Sequence, residues 1–155
     1  MSIERVAHIE PTIRTKDHPY LNLQEGWRPN YDEYNATDME VIGEIPADID
    51  GVYLRNTENQ VHEPIGRYHP FDGDGMIHMI SFADGKAEYR NRFVRTKGFM
   101  AEQEAGQSLW AGLMEHPSSS VRPGWGAQEW LKDSSSTDVI RSEEHTSELQ
   151  SLSHI

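Results

Sequence analysis

Two runs of alternating apolar and polar residues stand out along this chain, MIHMISF at 76–82 and KAEYRNRFVRT at 86–96, on either side of Asp84-Gly85. Alternation with period two puts one set of side chains on one face of a strand. Met76, His78, Ile80 and Phe82 form one such set; Ala87, Tyr89 and Phe93 form the other, interrupted by Asn91. An Asp-Gly pair between two such runs is the signal of a two-residue hairpin turn. Residues 76–96 therefore predict a β-hairpin.

The other signals are weaker. MEVIGEI at 39–45 reads as a short strand, Pro46 to Gly51 as a turn with Gly51 supplying backbone freedom, and Val52 to Asn56 as a β-rich run. Residues 99–115 predict a short helix, because Ala101, Ala105, Leu109 and Leu113 recur at helical spacing, although Gly106 and Gly112 weaken it. After His116-Pro117 the stretch SSSVRPGWGAQEW reads as a loop, and Ser134 to Ile140 as a turn leading into another strand. Residues 1–35 are polar and carry Pro11, Pro19 and Pro29, which predicts an extended arm, since Pro removes a donor and restricts its neighbour.

Composition narrows the function classes. Of the 155 residues only 35% are apolar, so the chain buries a thin core, and either part of it is disordered or its partner surface is missing. Net charge is −12, with 26 acidic residues against 14 Lys and Arg, which disfavours nucleic acid and a polybasic membrane contact. There is no Cys, which rules out disulfides, zinc-thiolate sites and thiol nucleophiles and fits a reducing cytoplasm. The first residues, MSIERVAHIEPTIRTKD, hold no apolar run of the signal-peptide kind.

Eight His make a metal site a question. His62, His69 and His78 lie close in sequence, with Glu63, Asp72 and Asp74 as carboxylates, but their spacing matches no local metal motif. His78 shares a strand face with Met76, Ile80 and Phe82 and reads as a hydrogen-bonded core histidine. Phe71-Asp72-Gly73-Asp74-Gly75 resembles the start of a calcium loop, yet the twelfth position from Asp72 is Ala83 where such a loop needs Glu. The expected role is a tight turn, with positive φ at Gly and Asp side chains capping amides. Trp110, Trp125 and Trp130 read as packing anchors.

Three segments in order carry a resemblance to a known family. Residues 41–56, VIGEIPADIDGVYLRN, resemble V-x-G-x-I-P-x-x-L-x-G-x-Y-L-R-N; residues 67–78, RYHPFDGDGMIH, resemble Y-H-x-F-D-G-D-G-M-[IVL]-H; residues 89–96, YRNRFVRT, resemble Y-x-N-R-[FYW]-V-[RK]-T. Pro19-Tyr20-Leu21-Asn22 fits the same family's N-terminal arm. Together they resemble the carotenoid cleavage oxygenases, a family that includes the lignostilbene dioxygenases, over residues 18 to 140. The sequence departs from it at Thr57-Glu58-Asn59-Gln60, where many members read G-P-N-P, and this suggests a divergent bacterial branch.

The resemblance implies a mainly β chain: the incomplete N-terminal part of a seven-bladed β-propeller, with an arm at 1–35, partial propeller at 36–140 and one short helix. It implies a parent enzyme in which four His hold Fe(II) and O2 is added across a conjugated C=C bond of a carotenoid, apocarotenoid or stilbene, giving two carbonyl products. The parent's partners would be an apolar small molecule and O2, and peripheral membrane contact is open to it. At about 40–50 residues per blade, seven blades need on the order of 300 residues. The iron ligands are then expected beyond this chain, none of His62, His69 and His78 is a ligand, no catalytic, cofactor or metal residue is assigned, and the chain alone is expected to be inactive. Two alternatives stay open: a small binding module that unfolds cooperatively by itself, and a small metalloprotein using His62, His69 and His78.

Residues 141–151, RSEEHTSELQS, back-translate to a sequence resembling an adapter oligonucleotide used in DNA sequencing. Residues 141–155 are therefore expected to be an adapter-derived, disordered tail, and His145 and His154 are set aside as ligands.

Overall fold

A computed structural model of the chain describes residues 2–14, 16, 18–123, 132 and 134–140. The hairpin lies where the alternation puts it. Strand β4 (Asp74–Ala83) follows strand β3 (Gly51–Asn59) and precedes strand β5 (Lys86–Phe93). Asp84 and Gly85 take φ of 50° and 68°, both left-handed, as the favoured two-residue turn requires. The register sets Met76, His78, Ile80 and Phe82 opposite Phe93, Asn91, Tyr89 and Ala87, so the two predicted sets share one face.

β3 extends the run predicted at 52–56 in both directions and pairs with β4 along its whole length. The Ile49 N–H donates to the Pro46 carbonyl at 3.1 Å, closing the predicted turn ahead of Gly51, whose φ of 148° favours glycine. On the far side of the hairpin, strand β2 (Asp32–Thr37) pairs with β5, and strand β1 (Ser2–His8) pairs with β2. Among the described residues this makes one antiparallel sheet in the order β1-β2-β5-β4-β3. The N-terminal segment thus enters the sheet through β1 and β2, with 3-10 turns at Leu21–Leu23 and Glu25–Trp27 between them.

Two expectations are corrected. Residues 39–45 are not a strand: Asp38 and Gly43 have φ of 52° and 99°, and Ile42 is 97% exposed. The strand lies earlier, in the polar DEYNAT of β2, because β5 side chains bond its backbone. Asn91 Oδ1 accepts from the Tyr34 N–H (2.7 Å), Asn91 Nδ2 donates to the Asp32 carbonyl (2.8 Å), and Arg92 Nη1 donates to the Tyr34 carbonyl (3.0 Å). Such bonds leave no hydrophobic pattern to read.

The helix is shifted and shorter than 99–115. Helix α1 spans Lys97–Ala105; Thr96 Oγ1 caps it by accepting from the Phe99 N–H at 3.0 Å, and Gly106 ends it in a left-handed conformation, φ 65°. Leu109 and Leu113 lie past that stop. Residues 134–140 run beside β3 and β4, where the Gly75 N–H donates to the Ser134 carbonyl (2.9 Å) and Asn56 Nδ2 to the Ser135 carbonyl (2.9 Å), and the strand expected after them lies outside the described residues.

The core sits at one end of the hairpin. Phe99 of α1 stacks on Phe93 of β5 with ring centroids 5.2 Å apart, and Val61 and Met76 are fully buried beside them with Ile9 packed against the group. Burying such side chains contributes roughly 1.5–3 kcal/mol each. The side chain of Glu33 on β2 is buried nearby, accepting from the Phe93 N–H at 2.8 Å and pairing with Arg95, whose guanidinium lies 5.7 Å from the Phe99 ring centroid. Burial alone would raise the Glu33 carboxyl, but Arg95 and the Phe93 N–H outweigh it and hold it below the ordinary value. Truncating the stack should cost most: Phe99→Ala is expected to weaken local protection by about 3–5 kcal/mol, read as faster exchange of the Met76 and Phe93 amides.

Candidate functional site

His62, His69 and His78 are each engaged locally. His62 is buried, with Nδ1 3.0 Å from Thr12 Oγ1 and Nε2 3.0 Å from Gln103 Nε2. Gln103 donates from its amide nitrogen, so His62 Nε2 accepts and Nδ1 carries the proton toward Thr12. His69 Nδ1 accepts from the Phe71 N–H at 3.2 Å and caps the 3-10 turn Pro70–Asp72. His78 is half-buried, with Nε2 2.9 Å from Thr57 Oγ1 and Nδ1 2.7 Å from the Tyr89 hydroxyl, the hydrogen-bonded role expected of it. Among the described residues no group of three or more His, Asp or Glu is placed to hold a metal ion, so these residues do not fit an iron centre.

The Asp72-Gly73-Asp74-Gly75 segment leaves the 3-10 turn Pro70–Asp72 and enters β4 at Asp74, and its glycines serve a different purpose from the one expected. Neither Gly73 nor Gly75 has a positive φ. They permit close approach instead: a Cβ on Gly73 would lie 2.8 Å from the Asn59 amide nitrogen, and one on Gly75 would lie 2.3 Å from the Ser135 carbonyl oxygen. Asp72 does cap amides, accepting from His69 at 2.9 Å through Oδ2 and from Leu113 at 2.8 Å through Oδ1. The second bond draws the 109–113 stretch against the turn, and Gly112 allows it, since a Cβ there would meet the Asp72 carboxylate at 2.2 Å.

These contacts enclose a cavity of about 440 Å³ between the β3–β4 connection, the stretch after α1, and residues 132–137. Ile65, Phe71, Trp110 and Leu113 give it apolar walls, and Ser108, Ser134, Ser136 and Thr137 add hydroxyls. Trp110 packs with Ala101 and Leu109 as an anchor, its ring 5.4 Å from the Arg122 guanidinium. Trp125 and Trp130 lie outside the described residues. Glu58, Gln60, Asp72, Glu102 and Lys132 also line it, so the apolar side chains form one part of an otherwise polar wall. No helix among the described residues is long and apolar enough to cross a membrane.

A charged cluster that no sequence pattern announces sits against this cavity. Lys132 Nζ lies 2.8 Å from Asp74 Oδ1 and 2.8 Å from Glu102 Oε2, and all three side chains are nearly buried. Burial alone would lower the Lys132 ammonium, but the two carboxylates together hold it above its ordinary value. Asp74 falls in the expected turn, Glu102 in the expected helix, and Lys132 in no predicted element. Separations of 28 and 30 residues carry no motif, so only the fold joins them.

Burial holds His62 below the ordinary value of 6.5, with Glu102 partly opposing and Lys132 adding to the effect, and burial with Arg55 does the same to His78. Between that value and the lowered folded one the unfolded chain binds more protons, so stability should fall as pH drops through 6.5. NMR titration of the imidazole Cε1–H signals is expected to give both midpoints below 6.5 in the folded chain.

The family described as retinal pigment epithelial membrane protein, RPE65, matches residues 27–153. The carotenoid cleavage oxygenase of Mycobacterium tuberculosis is 48% identical over 87 residues, covering 54% of this chain and 17% of its own length. Lignostilbene-alpha,beta-dioxygenase isozyme III of Sphingomonas paucimobilis is 39% identical over 120 residues, covering 73% of this chain and 22% of its own. The crystal structure of Pseudomonas brassicacearum lignostilbene dioxygenase superposes with a TM-score of 0.57 at 29% identity, over 60% of this chain and 20% of that one. The chain thus spans about a fifth of the length of the curated relatives it matches. A family match over most of the sequence, a mainly β fold with one helix, and the three ordered motifs agree: the chain belongs to the carotenoid cleavage oxygenase family.

Proposed function

We propose that this chain is the opening segment of a non-haem Fe(II) dioxygenase that splits a conjugated C=C bond of a carotenoid, apocarotenoid or stilbene with O2, giving two carbonyl products. The observation that carries this reading is the family match over residues 27–153 by a chain one-fifth the length of its relatives. Iron, when bound in the whole enzyme, supplies oxygen activation; the described residues offer no site for it, so its ligands come from outside them. What this segment supplies is the cavity wall of Ile65, Phe71, Trp110 and Leu113, whose apolar surface suits such a substrate. Residues 77–82 of β4 are only half-buried, which supports a sheet built to pack against further chain, as the blades of a propeller do. The absence of Cys supports a reducing compartment.

The 155-residue chain alone is therefore expected to bind no stoichiometric iron and to leave a stilbene or carotenoid intact in air. The same gene continued in frame to the length of its relatives is expected to do both, by metal analysis and chromatography of the aldehyde products. Stoichiometric iron with O2-dependent alkene scission by the short chain would overturn the proposal. So would a source locus that reads natively through RSEEHTSELQ at 141–150, a stretch that the family match over 27–153 also spans, because an adapter origin of those residues is part of the proposal.

A further inference from the structure

Lys132, Asp74 and Glu102 come from three separate segments; the Glu102 carboxylate is tied to one wall of the cavity, and the backbone next to Asp74 to another. Glu102 binds Lys132 through Oε2, while its Oε1 accepts the Leu109 N–H at 2.8 Å, at the start of the 108–113 wall. Asp74 binds Lys132 at 2.8 Å, and the next residue, Gly75, donates its N–H to the Ser134 carbonyl at 2.9 Å, at the start of the 134–137 wall. We propose that Lys132 is a positioning residue of this cavity: by bridging Asp74 and Glu102 it fixes the separation of the two walls and with it the width of ligand admitted.

This rests on reading the cavity as a substrate wall. Stability alone does not account for the cluster, since apolar groups of similar volume commonly stabilise a core as well as a buried ion cluster does. What the cluster adds is direction. An ammonium 2.8 Å from each of two carboxylates holds both in register, and without it two nearly buried like charges face each other.

The test uses the 155-residue chain and its Lys132→Met, Glu102→Gln and Lys132→Arg variants, followed by amide hydrogen exchange. In Lys132→Met and Glu102→Gln the Gly75 and Leu109 amides should exchange at least about tenfold faster, while the Ile80 and Tyr89 amides of the hairpin change by less than about twofold. Lys132→Arg, which keeps the charge, should restore most of the protection. Equal acceleration at all four amides would mean a merely structural role and overturn the proposal, as would no acceleration at Gly75 and Leu109. Should Lys132→Met fail to fold, Glu102→Gln decides.

A second arm titrates trans-stilbene and the wider 4,4′-di-tert-butylstilbene by fluorescence. Moving the walls should shift their affinity ratio at least about threefold, whereas global destabilisation weakens both alike. An unchanged ratio in variants with faster exchange would overturn the claim about ligand width. If the unsubstituted chain binds neither stilbene, the substrate-wall reading fails together with the claim about width, and the exchange data alone judge whether Lys132 positions the walls.

Discussion

The stacking of Phe99 on Phe93 is the contact from which the rest of the arrangement hangs. A chain with 35% apolar residues has little surface to hide, and one buried cluster, Val61, Met76, Phe93 and Phe99, forms where α1 covers one end of the β4–β5 hairpin. Hydrophobic burial scales with area and has no direction, so this small cluster sets that α1 docks but leaves its orientation to polar contacts. Once Phe99 is seated, Gln103 reaches His62, Glu102 reaches Lys132, and Gly106 turns the chain toward the cavity wall. The helix is thus the hub that links the N-terminal segment, the hairpin and the candidate site.

Orientation is supplied by buried side chains that take backbone partners. Glu33 receives the Phe93 N–H, Asn91 both accepts from and donates to β2, the Asn59 side chain receives the Asn30 N–H at 2.8 Å, and Asp72 receives two amides. A net hydrogen bond contributes only about 0.5–1.5 kcal/mol, but leaving a buried partner unpaired costs about 1–3 kcal/mol, so each contact discriminates strongly between arrangements. This is how a polar sequence such as DEYNAT becomes a central strand: its backbone is claimed by Asn91 and Arg92 from the neighbouring strand. Gly73, Gly75 and Gly112 belong to the same scheme, because each lets a polar group come closer than a Cβ would allow.

The cavity follows from these contacts and not from any local motif. Its walls are drawn together by Asp72 on one side and by the Lys132 pairs on the other, with Trp110 as the fixed apolar anchor between them. The histidines, by contrast, are absorbed into the scaffold: His62 joins the N-terminal segment to α1, His69 caps a turn, and His78 bridges β3 and β5.

The sequence by itself determined the hairpin, its turn and which side chains share a face, because period-two alternation and Asp84-Gly85 are local properties that survive in any context. It also determined family membership, through three motifs whose order is written along the chain. The true extent of α1 was legible as well, in Thr96 and Gly106, once caps are weighed above the spacing of Leu109 and Leu113. Only the tertiary structure decided that β2 is DEYNAT and not MEVIGEI, that the glycines of the turn serve approach and not positive φ, and that Asp74, Glu102 and Lys132 meet. Each of those outcomes depends on a partner tens of residues away, and a bond to a distant partner leaves no periodicity in the chain that makes it.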